Sequence, residues 1–146
     1  MIYKVFLRKS HKKAYIEALA DFLIDELRLR SSRYNLAITP APKFSTDGGW
    51  VVHTDREIVM FLNPNQTPYE LGHTIAHEFV HVKQIASGLL RFEPPMVKWR
   101  GGVFCRYNKS AYLKRPWEIQ ALQQQAILLR KFELHCTSSK KRVTIT

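Results

Sequence analysis

Thr67-Pro68-Tyr69-Glu70-Leu71-Gly72-His73-Thr74-Ile75-Ala76-His77-Glu78-Phe79-Val80-His81-Val82-Lys83-Gln84-Ile85-Ala86-Ser87-Gly88 is the stretch whose reading decides the architecture. It is punctuated as a helix at both ends. Thr67 precedes a proline suited to the first helical position, and Glu70 follows three residues later, the pattern of a capping box. Gly88 offers a C-terminal stop. Between them Leu71, Ile75, Phe79, Val82 and Ala86 share an arc of roughly 100° on a helical wheel. His73, His77, His81 and Gln84 fall on the opposite side. The pattern predicts a helix over 67–88 that buries one face and turns its histidines toward something polar.

Within it, His77-Glu78-Phe79-Val80-His81 spells H-E-x-x-H. Positions four apart on a helix project from one face with Cβ atoms roughly 5–6 Å from each other, so two imidazoles can converge on one ion. Glu78 lies about 100° around the helix from His77, beside the ion rather than on it. In this arrangement the histidines hold zinc and the glutamate acts on a water. His73 extends the row but stands about 12 Å along the axis from His81, too far to share an ion. It is expected on a cleft wall, or simply on the helix face.

Zinc hydrolases need a third protein ligand and an open fourth position. The downstream donors are Glu93, Cys105, Glu118, Glu133, His135 and Cys136. Glu118 stands out by context, in Arg115-Pro116-Trp117-Glu118-Ile119-Gln120-Ala121, with a proline placed to open a helix. Ile119, Leu122, Ala126, Leu129 and Phe132 then repeat at three- and four-residue intervals, which predicts an amphipathic helix over 116–134. The helix dipole alone favours a carboxylate in that first turn. A rigid helix is equally a good place from which to aim a ligand.

His77 and His81 on one helix, followed 37 residues later by Glu118 on another, resemble the gluzincin zinc metallopeptidases. H-E-F-V-H-V-K-Q, K-W-R-G and P-W-E-I-Q-A are similar to segments of small single-domain metallopeptidases of phages and bacteria, over about 70–126. The resemblance implies a zincin-like domain with one zinc on His77, His81 and Glu118, and Glu78 as general base and acid in peptide-bond hydrolysis. It implies that Glu57–Leu62, the strand before the motif helix, lines the cleft and pairs with extended substrate. In many gluzincins an acidic residue one turn after the ligand glutamate orients a zinc histidine. Here that turn reads Ile119-Gln120-Ala121-Leu122, so Gln120 or an upstream group has to stand in.

Zinc would polarise the scissile carbonyl and activate water, and Glu78 would carry the water's proton to the leaving amine. The oxyanion needs a further donor. Tyr107, Tyr112, His53, Arg106 and His135 are candidates, and Tyr112 is preferred because it lies just before the Glu118 helix.

The remainder reads as α+β: a mixed or antiparallel sheet packed on the motif helix and on the helix carrying the third ligand. A strand is expected over 2–7, a helix over 12–29 with Ile16, Leu19, Phe22, Leu23 and Leu27 inward, strands over 35–39, 50–54 and 57–62, and a hairpin from 97–99 and 103–106. Residues 1–136 are expected as a single domain and 137–146 as a basic, polar tail. At 146 residues and 45% hydrophobic the chain can bury one core. It lacks an 18-residue apolar run and an evident secretory leader, so no membrane partner and a cytoplasmic setting are expected. Cys105 and Cys136 make no disulfide framework, which points the same way.

A formal net charge of +11 implies attraction for anionic partners. Lys98, Trp99, Arg100, Arg106, Tyr107 and Tyr112 interleave cations with aromatics, as surfaces that contact phosphates and stack on bases do. Lys98, Arg100 and Arg106 are the candidate nucleic-acid contacts. The alternative reading is accordingly a basic nucleic-acid-binding protein with a structural or silent metal site, or a DNA-associated protease. No helix-turn-helix, zinc-finger or RNA-recognition pattern accompanies these residues.

Overall fold

The computed structural model describes residues 1–43, 45–105 and 115–145. The chain runs Tyr3–Val5 (β1), His11–Glu26 (α1), Asn35–Pro40 (β2), Gly49–His53 (β3), Glu57–Leu62 (β4) and Pro68–Ala86 (α2). Leu90–Glu93 (β5), Met96–Trp99 (β6), Gly102–Cys105 (β7) and Pro116–Ile145 (α3) follow. The fold is α+β, with a mixed sheet of order β1-β2-β4-β3 and an antiparallel meander β5-β6-β7. In the first sheet β1, β2 and β4 are parallel, and β3 runs antiparallel to β4 along the edge.

Period-2 patterning sets the sheet's buried face. Leu36 and Ile38 of β2 alternate with less buried neighbours, and Ile58, Met60 and Leu62 do the same on β4. α1 is the crossover between β1 and β2 and contributes Ile16, Leu19, Ala20, Leu23 and Ile24 to the core. Phe22 and Leu27, expected inward, are only partly buried.

α2 forms as its ends dictate. The Thr67 hydroxyl accepts from Glu70 N–H and the Glu70 carboxylate accepts from Thr67 N–H, both at 3.3 Å. At the other end Gly88 takes φ +79°, Gly88 N–H donates to Ile85 C=O, and Leu89 N–H donates to Gln84 C=O. These are the two bonds of a Schellman motif, and the left-handed position is one that glycine fills without penalty. α2 is buried nearly all round: Leu71, Ile75, Phe79 and Val82 on one side, Glu78, His81 and Gln84 elsewhere.

Three expectations change. β5 was not anticipated, because Leu90–Glu93 is short and abuts Pro94-Pro95; its pairing with β6 supplies what its own pattern lacks. The helix expected over 116–134 continues to Ile145, through the stretch expected as a tail; no glycine or proline follows Pro116 to stop it. The buried stripe of α3 is Trp117, Glu118, Ala121, Leu128, Leu129 and Phe132, whereas Ile119 and Leu122 are 40% and 47% exposed. Leu129 and Phe132 are buried as expected, but Ile119, Leu122 and Ala126 are exposed, because the first turns of α3 pack inward through polar residues that meet the histidines of α2, and apolar periodicity alone points part of a turn away.

Candidate metal centre

α2 and α3 pack along each other and bring three donor side chains together. His77, His81 and Glu118 each offer one ligand atom, and these atoms lie within 4.8 Å of one another. Glu118 reaches both imidazoles, Oε2 at 3.2 Å from His77 Nε2 and Oε1 at 2.7 Å from His81 Nε2. The two rings stand 4.9 Å apart and nearly perpendicular, at 83°. Helical spacing explains the first pair. Position in the first turn of α3, just after the buried Trp117, explains the third. Trp117 packs against Trp99 and Phe104 at ring distances of 6.2 and 5.3 Å, which ties the start of α3 to the meander.

The electrostatics are those of a buried, coupled cluster. Burial works against a charged imidazole at His77 and His81, but hydrogen bonds to Glu118 and the nearby Glu78 charge outweigh it, leaving both above their ordinary value. Burial likewise opposes charge on Glu118, and the two imidazoles overcome it, holding its carboxyl far below the usual range. Glu78 goes the other way: burial pushes its carboxyl up, more than His81 and His77 pull it down.

These residues fit a small divalent cation. Tetrahedral donors ~2.0–2.1 Å from one ion stand roughly 3.3 Å apart; one donor atom from each of the three residues lies within 4.8 Å of the others, a spacing from which small side-chain shifts reach that geometry. Glu78 Oε2 is buried beside the cluster and has no hydrogen-bond partner among the described residues. An unsatisfied buried carboxylate oxygen is costly, and a polar group or ion held at the cluster would relieve it. A two-nitrogen, one-oxygen donor set suits borderline cations.

Two hollows meet at Glu78. One, of ≈ 360 Å³, is lined by Trp50, Val51, Phe92, Arg115 and Trp117 with Glu78, His81 and Glu118. The other, of ≈ 530 Å³, is lined by Asp47, Trp50, His73, Thr74 and Gln125 with His77 and Glu78. His73 is thus a cleft-wall residue, its ring 4.5 Å from that of Tyr69. The strand bordering the cleft is β3, not β4 as expected. β4 pairs with β2 on one side and β3 on the other, so its backbone is already committed. At its start, β3 approaches closely: a Cβ on Gly49 would sit 2.8 Å from Phe61 O and 2.9 Å from a Thr74 methyl.

Among the described side chains the other candidate donors lie elsewhere, and that of Cys105 falls outside them. Glu93 pairs with Arg91 and Lys98 on the surface. His135 packs on Phe22 of α1, about 25 Å along α3 from Glu118 by helical rise, and Glu133 and Cys136 share that distant part of the helix. His53 is unsuited as an oxyanion donor because both ring nitrogens are engaged, with Thr54 O and with Phe92 N–H, each at 2.9 Å. Its role is to tie β3 to β5. Tyr107, Tyr112 and Arg106 lie outside the described residues. Lys98 pairs with Glu93 at 3.0 Å, and Arg100 sits over the Trp99 ring at 5.3 Å. Neither lines the two hollows at the cluster.

Two residues of the site were not singled out from the sequence. Gln84 Oε1 lies 2.7 Å from His81 Nδ1, and Gln125 Oε1 lies 2.7 Å from His77 Nδ1. Gln120 meets Gln84 rather than a histidine. A signal existed for Gln125: it follows Glu118 by seven residues, two turns on the same face. No family model, curated protein or solved structure matches the chain significantly.

Proposed function

We propose that this chain is a zinc-dependent peptidase of the gluzincin type, with His77, His81 and Glu118 as metal ligands and Glu78 as general base and acid. The observation that supports it most is the convergence of those three donors beside a buried, unpartnered Glu78 oxygen. A bound zinc would supply a Lewis acid for a carbonyl oxygen and a water of lowered pKa. Glu78 accepts the water's proton at its free oxygen and returns it to the departing amine nitrogen. The burial that raises its carboxyl suits a group that must hold a proton between two transfers.

The cleft fits an extended peptide. β3 is the edge strand of its sheet, paired to β4 on one side, and no strand among the described residues pairs with its other side, where an extended peptide would add. Trp50, Val51, Phe92 and Trp117 line the neighbouring hollow together with the charged Asp47 and Arg115, a mixed wall that offers both apolar and polar contacts to a peptide. The zincin-like character of the domain rests on the same features, a motif helix under a sheet whose edge strand flanks the cleft.

Replacement of Glu78 by Gln tests the assignment. Zinc content and fold should be unchanged, and hydrolysis of an unfolded protein substrate should fall by at least about 10²-fold, the usual contribution of a proton-transfer group. Wild-type rates in that variant would remove Glu78 from the mechanism.

A further inference from the structure

The two imidazoles are held from behind by amides, and the direction of that chain of bonds is set by the backbone. Gln84 is 1% exposed. Its Nε2 donates to Trp117 O at 3.1 Å and to Gln120 Oε1 at 2.8 Å, which uses both hydrogens of the amide. A backbone carbonyl can only accept. The amide nitrogen must therefore face Trp117, its oxygen must face His81, and His81 Nδ1 must carry a proton and donate at 2.7 Å. With Nδ1 protonated, Nε2 is the nitrogen that would exchange its proton for a cation, and it stands 2.7 Å from Glu118 Oε1. At the second histidine, Gln125 Oε1 stands 2.7 Å from Nδ1 while Nε2 again faces Glu118.

We propose that Gln84 and Gln125 are positioning residues that fix both histidines as Nε2 ligands, and that they form a neutral orienting set in place of carboxylates. The proposal rests on the metal-site reading above. Its chemical consequence follows from charge. A carboxylate behind a ligand histidine makes the imidazole a stronger donor to the metal; an amide orients the ring without adding negative charge. Among the residues lining the cleft around the cluster, the carboxylates are Glu78, Glu118 and Asp47, and neither Nδ1 atom faces one.

The two positions also differ. Gln125 is half-buried and lines the wider hollow, so a carboxylate fits there and still accepts from His77. Gln84 cannot be exchanged in this way, because a carboxylate would set oxygen against Trp117 O and Gln120 Oε1. A contribution to packing alone would make every substitution at 125 neutral or harmful. An orienting acceptor instead gives opposite signs for an apolar and an anionic replacement.

The experiment measures zinc dissociation constants by chelator competition for the full-length wild type, Gln84→Met, Gln125→Met and Gln125→Glu. Visible spectra of the cobalt(II) forms report ligand geometry. Both Met variants are expected to bind zinc about 10- to 100-fold more weakly, the range for lost orienting partners. Gln125→Glu should bind more tightly than wild type, with a cobalt spectrum still of tetrahedral type. If Gln84→Met fails to fold, the pair at 125 decides the matter. Wild-type affinity in Gln125→Met, or weakened binding in Gln125→Glu, overturns the positioning role while leaving the metal site standing. Absence of zinc uptake by the wild type overturns the metal-site reading and this proposal with it.

Discussion

Glu78 is placed where stability and the proposed chemistry oppose each other. Its Oε2 is buried without a partner among the described residues, a condition that costs about 1–3 kcal/mol for a polar group and more for a charged one. Nothing in the local helix requires a carboxylate there, since its neighbours Phe79 and Val80 are buried apolar residues of the same turn. The metal-free Glu78→Met variant should therefore unfold at higher denaturant concentration, by about 1–3 kcal/mol, while lacking hydrolysis. Stability gained by removing a catalytic group is a recurrent trade. A Glu78→Met protein less stable than wild type would mean that the carboxylate has a partner in solution. At this scale the sequence was informative where geometry is local. His77, Glu78 and His81 follow from spacing within one helix, and Glu118 from its place after Pro116 and Trp117. Gln84 shares the histidine face of α2 and meets His81 as an i, i+3 pair, a local contact, whereas the partnership of Gln125 with His77 depends on the rotation of α3 against α2.

Helix ends carry the element-scale argument, and the chain solves the same problem twice with different residues. α2 closes with Gly88 at φ +79°. α1 closes through the same bond pattern, Arg28 N–H to Asp25 C=O and Leu29 N–H to Ile24 C=O, with Arg28 at φ +55°. A side chain in that region costs roughly 1–2 kcal/mol. Gly88→Ala should therefore destabilise by about 1 kcal/mol, and Arg28→Gly should stabilise by a similar amount, both read from urea melts. The same sign for both substitutions would contradict this account of the caps. Gly88 was readable as a stop because glycine announces the conformation. Arg28 was not, since the position is enforced by burial of the following Leu29, 1% exposed, rather than by Arg28 itself. The inward stripe of α3 escaped for a related reason. Glu118 and Gln125 face the histidines, so a polar face packs inward while Ile119 and Leu122 remain exposed.

For the whole molecule, the mixed sheet places edge strand β3 beside the H-E-x-x-H helix, and the meander closes over the start of α3 through Trp99, Phe104 and Trp117. The α+β class was legible from alternating and helical periods. Strand order was not, because insertion of β4 between β2 and β3 is a non-local pairing that leaves no local pattern. No helix among the described residues is long and apolar enough to cross a membrane. The net charge of +11 acts at this scale also. Cleavage of an acidic peptide should lose kcat/KM between about 0.05 and 0.5 M salt, as screening shortens the reach of the field, while a neutral peptide changes little. Equal salt responses would remove charge steering from the account. The central claim is that His77, His81 and Glu118 form a metal centre, and its most direct test is the metal content of purified wild type beside Glu118→Ala. About one zinc per wild-type chain is expected, since three protein ligands and an open position complete one site, with most of it lost from the variant under mild chelation. Equal zinc in both proteins, or none in the wild type after reconstitution, would contradict it.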